Sequence, residues 1–263
     1  MPLDKKYLDL IHAFAPIASD VDVDRRFSML YDLVVETNSK INITSLLSPI
    51  DVTLKHIVDS LTLFYSDVFL NKVKNGAKAC DIGCGGGFPG LPIACVLPNL
   101  SLTMIDSTEK KIVALKENVG ALELGCVEPV WGRGEELAAP KGRYREKLDL
   151  CVSRAVAALP VLCELCLPFV KEGGVFIAMK GQRAWEEIEA SKRAIPMLGG
   201  KILSVEEIDL VDRVPSLQDF SQDEKEKISE FASVKRFLIV MEKKKKCSDI
   251  YPRKWSQIVK KPL

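Results

Sequence analysis

Asp81 and Asp106 are each predicted at the carboxyl end of a buried strand, on either side of a turn rich in glycine. The turn lies in the stretch 79–90, where Gly83 and Gly85 allow the backbone to turn tightly and to approach a ligand. The helix that follows presents free backbone N–H groups, which suit the polar groups of a nucleotide. The sequence therefore predicts a nucleotide-type cofactor site, with Asp106 placed to accept hydrogen bonds from ribose hydroxyls.

The glycine spacing is compatible with two cofactors. Gly85-x-Gly87-x-x-Gly90 satisfies the dinucleotide fingerprint G-x-G-x-x-G, which favours a nicotinamide cofactor. However, a Phe-Pro pair occupies this turn and the glycine run begins at Gly83, which gives the pattern Asp-x-Gly-x-Gly-x-Gly of Rossmann-like enzymes that use S-adenosyl-L-methionine. We favour the methyl donor and keep the dinucleotide as an alternative. A surface turn would need neither an acid at the strand end nor apolar flanks.

His56 is the candidate that the residue pattern offers for acid–base chemistry. It lies in a helix predicted from about residue 49 to 64, where it shares a face with Asp59 and Ser60. A histidine beside an acid on an amphipathic helix is more often a structural hydrogen-bonding group than a catalyst. We therefore expect a structural role for His56 and keep catalysis as the weaker alternative.

The eight cysteines lie mostly in apolar, strand-like or helical contexts, and no signal peptide precedes them. This pattern predicts reduced thiols in a cytoplasmic protein. Cys163-x-x-Cys166 lacks a second such pair or a pair of histidines, so core packing is favoured over a zinc or redox site. No metal site is predicted.

The elements that would position these residues follow an α/β pattern. Up to about residue 70 the apolar residues have helical spacing, and from residue 77 strands alternate with helices. We predict a Rossmann-like α/β fold, with a seven-stranded, mostly parallel sheet, helices on both faces and an N-terminal helical extension. The predicted divisions are a helical segment packed on the core (1–70), a Rossmann-like domain (71–245) and a basic tail (246–263). Strands after the first are predicted at 102–105, 127–131, 148–152, 174–179, 201–210 and 237–241.

Composition places the chain among globular proteins. Its 263 residues are 47% hydrophobic, which is enough for a large core. The formal charge of +1 argues against general attraction to nucleic acid, but the end of the chain is basic: the stretch 235–263 holds ten Lys or Arg and two acids. No apolar run approaches the ~20 residues of a membrane span, so we expect no membrane partner.

The stretch Asp81–Gly90, with the sequence DIGCGGGFPG, resembles the signature of the bacterial 16S ribosomal RNA guanine-N7 methyltransferase G family, the glucose-inhibited division protein B type. Other stretches resemble motifs of that family in the same order, so the resemblance covers nearly the whole chain. These stretches are Asn42–Thr44, His56–Leu61, Ile105–Ser107, Gly132–Glu136, Ser153–Ala157, Lys180–Gly181, Tyr251–Lys254 and Lys260–Leu263.

The resemblance implies a class I methyltransferase fold and cofactor contacts at Gly83, Phe88, the Gly134–Glu135 pair and Arg154. Phe88 would form a wall of the pocket, Glu135 would meet the adenine edge, and Arg154 would pair with the methionine carboxylate. An ion pair that only anchors a loop is the alternative for Arg154. The fold adds three further residues to the predicted cofactor site: Asp81, Gly85 and Asp106.

The resemblance also implies methylation of N7 of one guanine, nucleotide 527, in 16S ribosomal RNA. Guanine N7 has an exposed lone pair and no proton to lose, so transfer requires in-line placement more than a general base. We expect no catalytic residue to be required, 16S ribosomal RNA or the small subunit as partner, and a monomer. The alternatives are a methyltransferase for another RNA or a small molecule, and an inactive RNA-binding protein on the ribosome.

Four departures from the family pattern stand out. Cys84 and Gly134 replace the usual residue types without removing a charge or a donor. Trp255–Ile258 occupies the place of a turn rich in proline and glycine, and the polar stretch 211–233 is longer than usual. For the run Lys243–Lys246, contact with RNA and a solvated strand exit are equally compatible with the sequence.

Overall fold

A computed structural model describes residues 3–18 and 20–263. Residues 1, 2 and 19 of the predicted segment 1–70 lie outside the described residues. Phe14, Phe27 and Leu30 in this segment are fully buried, in one hydrophobic cluster with Leu102 and Val152 of the sheet. The N-terminal helices therefore share a core with the sheet. The α-helices before the sheet are α1 (Lys5–Phe14), α2 (Val21–Lys40), α3 (Pro49–Asp51), α4 (Asp59–Leu61) and α5 (Asp67–Lys74).

The helix predicted over residues 49–64 is present but not regular. It starts where Ser48 accepts a hydrogen bond from the backbone N–H of Asp51, as its N-cap position predicts. A π-helical turn then interrupts it, and the i→i+5 bonding of such a turn changes the face on which later residues lie. The prediction that His56 and Asp59 share a face does not account for this turn. The segments are α3, a π-helix (Val52–Val58), α4 and a 3₁₀-helix (Thr62–Tyr65).

One sheet contains the strands β1 (Ala79–Ile82), β2 (Leu102–Asp106), β3 (Val127–Trp131), β4 (Leu148–Arg154), β5 (Val170–Lys180), β6 (Gly200–Ile208) and β7 (Arg236–Lys243). Within the described residues these seven strands have the order β3-β2-β1-β4-β5-β7-β6. The first five pair in parallel, and β7 is antiparallel to both β5 and β6. The prediction of a seven-stranded, mostly parallel sheet is confirmed.

Helices cover both faces of this sheet. Along β1, Ala79 belongs to one hydrophobic cluster, whereas Cys80 and Ile82 belong to the other. Since alternate side chains of a strand point to opposite faces, each face has its own core. The remaining α-helices are α6 (Gly90–Val96), α7 (Glu109–Ala121), α8 (Gly134–Leu137), α9 (Leu159–Cys166), α10 (Ala184–Ala190), α11 (Ala194–Met197), α12 (Gln222–Ser233) and α13 (Trp255–Lys260).

The strand order reverses between β1 and β4. From β1 the chain moves outward through β2 to β3, and then returns to place β4 and β5 on the other side of β1. In open α/β sheets, ligands bind beyond the carboxyl ends of the strands at such a switch point. Asp81 and Arg154 lie at this place, in β1 and β4.

Two basic residues near the end of the chain are held by buried partners. Lys243 is fully buried and donates a hydrogen bond of 2.8 Å to the carbonyl of Leu167. Its ammonium also pairs with Glu146 at 3.1 Å, while burial lowers the pKa of Lys243. In the tail, Arg253 forms hydrogen bonds with both carboxylate oxygens of the buried Glu164. Lys243 is therefore neither a solvated residue nor an RNA contact.

All eight cysteines are free, and Cys163 and Cys166 are fully buried. In the described part of the chain, no cluster of His, Cys, Asp and Glu side chains could hold a metal ion. No described helix has the length and apolarity that a membrane crossing requires. The predicted divisions at residues 70 and 245 stay predictions.

Replacing Lys243 by alanine should destabilise the protein by roughly 3 kcal/mol, because it leaves Glu146 without its cationic partner and opens a cavity. Denaturant unfolding followed by circular dichroism measures the change. Lys246→Ala is the matched control: Lys246 is exposed in the same basic run, and its loss should change stability by less than about 0.5 kcal/mol. Equal stabilities for the two variants would contradict the buried role of Lys243.

Candidate active site

A cavity of about 630 Å³ opens at the carboxyl edge of the sheet, at the switch point between β1 and β4. Its size lies in the range of small-molecule sites. The loops after β1, β2, β3 and β4 form its walls, as expected for strands that all point to one edge. The predicted cofactor residues that line this cavity are Gly83, Gly85, Phe88, Asp106, Gly134, Glu135 and Arg154.

Gly83 and Gly85 shape the turn after β1 in the left-handed conformation that glycine favours. Gly83 has a φ of +74°, and a Cβ atom there would overlap the side chain of Val156. Gly85 has a φ of +54°, and its N–H donates a 2.9 Å hydrogen bond to Asp106. The glycine at position 83 is therefore required by a neighbouring loop of the protein itself, a contact that the sequence pattern does not reveal.

Asp106 holds the glycine turn and the next helix in place. Its Oδ2 accepts from Gly85 N, and its Oδ1 accepts from Thr108 N at 2.8 Å. Each carboxylate oxygen can accept a second hydrogen bond, so Asp106 keeps acceptor capacity toward the cavity that it lines.

Asp81 lies outside the set of residues that line the cavity. It is fully buried, and its Oδ2 accepts a 2.9 Å hydrogen bond from Gly90 N, at the start of α6. The other carboxylate oxygen, Oδ1, has no hydrogen-bond partner among the described residues. Burial raises the pKa of Asp81 to about 7, despite the Gly90 hydrogen bond and the charge of Arg154.

Arg154 joins β4 to the N-terminal helices. Its Nη1 donates 2.7 and 2.9 Å hydrogen bonds to Asp59 Oδ2 and to the carbonyl of Lys55. Arg236, at the start of β7, donates through Nε to the other oxygen of Asp59 at 2.8 Å. Arg154 therefore forms the anchoring ion pair left open from the sequence, and it also lines the cavity. A guanidinium has five N–H donors, so the two roles are compatible.

His56 is fixed by two contacts in the cavity wall. Its Nε2 is 2.8 Å from Thr44 Oγ1, and its ring stacks on Phe88 with centroids 4.6 Å apart. Burial, reinforced by the charge of Arg154, lowers the pKa of His56 to about 4. The imidazole is thus neutral near pH 7. Its hydrogen-bond partner is Thr44, while both oxygens of Asp59 bind arginines.

Comparison with known proteins identifies the family. The sequence profile described as "rRNA small subunit methyltransferase G" matches residues 24–214. The chain belongs to this family. Curated members named ribosomal RNA small subunit methyltransferase G include one from Lactobacillus johnsonii, 40% identical and covering 91% of both chains. Another, from Clostridium novyi, is 34% identical over 100% of both chains. A third, from Acetivibrio thermocellus, is 38% identical over 100% of this chain and 98% of its own length.

A solved structure agrees on the fold alone. The [4+2]-cyclase SpnF is 15% identical, with a TM-score of 0.50, and the match covers 88% of this chain and 98% of that one. That protein is named as a cyclase, so this likeness concerns architecture and not the reaction. Membership of the methyltransferase G family rests on the sequence relatives.

Some residues of the cavity were not predicted as site residues. Ile43 and Val156 lie in stretches that resemble motifs of the methyltransferase G family, so a signal for them was present. Trp255 also lines the cavity, although it belongs to α13 in the tail. Because the tail departs from the family pattern at this point, no sequence signal placed Trp255 at the site.

Asp81 should make the stability of the unliganded protein depend on pH. Its pKa is higher in the folded state than the ordinary value of 3.8, so its contribution is fully present below about pH 4 and is lost as pH rises through about 7. In Asp81→Asn, the amide oxygen can still accept from Gly90 N. We therefore expect unfolding curves between pH 5 and 8 to show a smaller loss of stability in Asp81→Asn than in the unaltered protein. Identical pH profiles would contradict the raised pKa.

Proposed function

We propose that this chain is an S-adenosyl-L-methionine-dependent methyltransferase that methylates N7 of a single guanine, nucleotide 527, in 16S ribosomal RNA. The main support is the cavity at the switch point, in a chain that belongs to the methyltransferase G family. Small-subunit ribosomal RNA is then the partner, and the cytoplasm the place of action.

The residues of the cavity suit this cofactor. Glu135 and the backbone of Gly134 would meet the adenine edge, and Asp106 would accept from the ribose hydroxyls. Arg154 would pair with the methionine carboxylate. Behind the wall, Asp81 Oδ1 has no hydrogen-bond partner among the residues that the structure describes, and the negative charge of Asp81 when ionised would favour the positive sulfonium and ammonium groups.

When bound, S-adenosylmethionine supplies a methyl group on a sulfonium, and the lone pair of guanine N7 forms the new C–N bond while the electrons of the S–C bond stay on sulfur. The protein has no proton to remove from N7, so its task is to align donor and acceptor. His56, neutral near pH 7 and stacked on Phe88, suits a wall that holds this alignment. Arg154, held by Asp59, would fix the methionine end.

The assignment can be tested with small subunits from a strain that lacks the gene. Purified protein and radiolabelled S-adenosylmethionine should label 16S ribosomal RNA, and cleavage at N7-methylguanine should locate a single position, nucleotide 527. Label at another guanine would overturn the position, and label only in another RNA or in a small molecule would overturn the substrate. Cofactor binding without transfer to any of these substrates would favour the inactive RNA-binding protein.

His56→Gln should keep most of the activity, because glutamine can still form a hydrogen bond with Thr44 and N7 has no proton to lose. We expect kcat with saturating substrates to fall by less than about tenfold, whereas loss of a general base typically costs 10²–10⁴-fold. Calorimetry with S-adenosylmethionine would verify that the variant still binds the cofactor. A drop of a thousandfold with normal binding would make His56 a catalytic residue.

A further inference from the structure

A second cavity, of about 350 Å³, adjoins the first. Arg154 and Ala155 line both cavities, so the end of β4 is their common wall. The second cavity continues past the end of β5, at Lys180, and past the start of β7, at Arg236. It therefore lies on the same edge of the sheet as the cofactor site.

The walls of the second cavity combine apolar and cationic side chains. Met179, Phe231, Phe237 and Leu238 supply buried apolar surface. The cations that line it are Lys55, Arg154, Lys180, Lys235 and Arg236. The acid among the lining residues is Asp59, and both of its carboxylate oxygens bind arginines. Cations thus outnumber acids in this lining.

The lysines of this cavity differ in how far they are already neutralised. Lys180 pairs with Glu187 at 2.7 Å and is held in the wall. The side chains of Lys235 and its partner Glu207 are 53% and 44% exposed, so solvent weakens that pair. Lys55 is exposed, and no ion pair of its side chain occurs among the described residues. Lys55 and Lys235 are therefore available to an anionic group.

An aromatic side chain extends the apolar wall to the surface. Trp185, at the start of α10, is 59% exposed and lies edge-on to Phe237 with ring centroids 6.5 Å apart. Proteins hold single-stranded nucleotides by stacking bases on exposed aromatic rings and by placing Lys or Arg at the phosphates. An exposed tryptophan beside a cavity with both apolar walls and cations suits a nucleotide better than a free anion.

The expected orientation of the cofactor also points to the second cavity. With adenine at Glu135 and ribose at Asp106, the sulfonium end of the proposed methyl donor lies toward Arg154, where the second cavity begins. We propose that the second cavity holds the guanine nucleotide of the RNA that receives the methyl group. Its base lies against the apolar wall, its phosphate near Lys55 and Lys235, and a neighbouring base on Trp185. This inference rests on the proposed function.

The charge part of the proposal is tested with the double variant Lys55→Ala/Lys235→Ala. Both residues are exposed, so the fold should persist. The probe is 16S ribosomal RNA in small subunits from a strain that lacks the gene. We expect KM for this substrate to rise about tenfold, with the cofactor Kd unchanged. The slope of log KM against log salt concentration should decrease by about 1.4, since each lost contact with a single-stranded phosphate removes about 0.7.

Lys201→Ala is the matched control for the double variant. Lys201 is exposed and pairs in register with Glu242, which places it at the opposite edge of the sheet from the cavity. Its KM and salt slope should equal those of the unaltered protein. If the double variant behaves like Lys201→Ala while the unaltered protein methylates the RNA, the proposal for the second cavity is wrong and the proposed function stands.

The stacking part is tested with Trp185→Ala and Trp185→Phe. We expect about a tenfold rise in KM for the subunit in Trp185→Ala and recovery to within about twofold in Trp185→Phe, because phenylalanine also offers a ring face. Cofactor Kd should be the same in both. Equal KM values for the alanine variant and the unaltered protein would overturn this part, and absence of transfer by the unaltered protein would overturn the proposed function itself.

Discussion

The carboxylate of Asp59 connects three parts of the chain that the site depends on. It belongs to the N-terminal helices, and it binds Arg154 at the end of β4 and Arg236 at the start of β7. Burial alone would raise the pKa of Asp59, but the two guanidinium groups outweigh it and hold that pKa below its usual value. Loss of this carboxylate would leave two partly buried cations facing each other, so the helical segment is part of the site's framework and not an appendage to it.

The sheet and the site differ in how much of them a sequence can reveal. The strand ends at Asp81 and Asp106 could be predicted because they depend on local patterns, and parallel strands bring their carboxyl ends to one edge. The Asp59–Arg236 pair joins residues 177 positions apart, and no local pattern indicates it. The π-helical turn before Asp59 also escaped prediction, because helical periodicity assumes 3.6 residues per turn. In the structure the hydrogen-bond partner of His56 is Thr44, and Asp59 binds two arginines.

The charge pattern of this chain contains little information about which basic residues meet solvent. Lys243 begins a run of four lysines, yet it is fully buried and bonded to Glu146 and the Leu167 carbonyl. Arg253 is bound by the buried Glu164, which fixes the tail close to α9. The tail thereby brings Trp255 to the cavity. The position of such residues depends on a buried partner, and the amino-acid composition does not reveal that partner.

Arg154, which lines both cavities, is placed to contact both ligands of the proposed reaction. Arg154 uses Nη1 for Asp59 and the Lys55 carbonyl, and its other N–H groups remain for ligands on either side. A methyl donor in the first cavity and a nucleotide in the second would then meet beside this side chain, with the methyl group in direct line with N7. Because attack by guanine N7 needs direct, in-line contact with the methyl group but no proton removal, side chains that hold both ligands at this junction can supply much of what the reaction requires. The ion pairs of Asp59 join residues far apart in sequence and hold Arg154 at this junction.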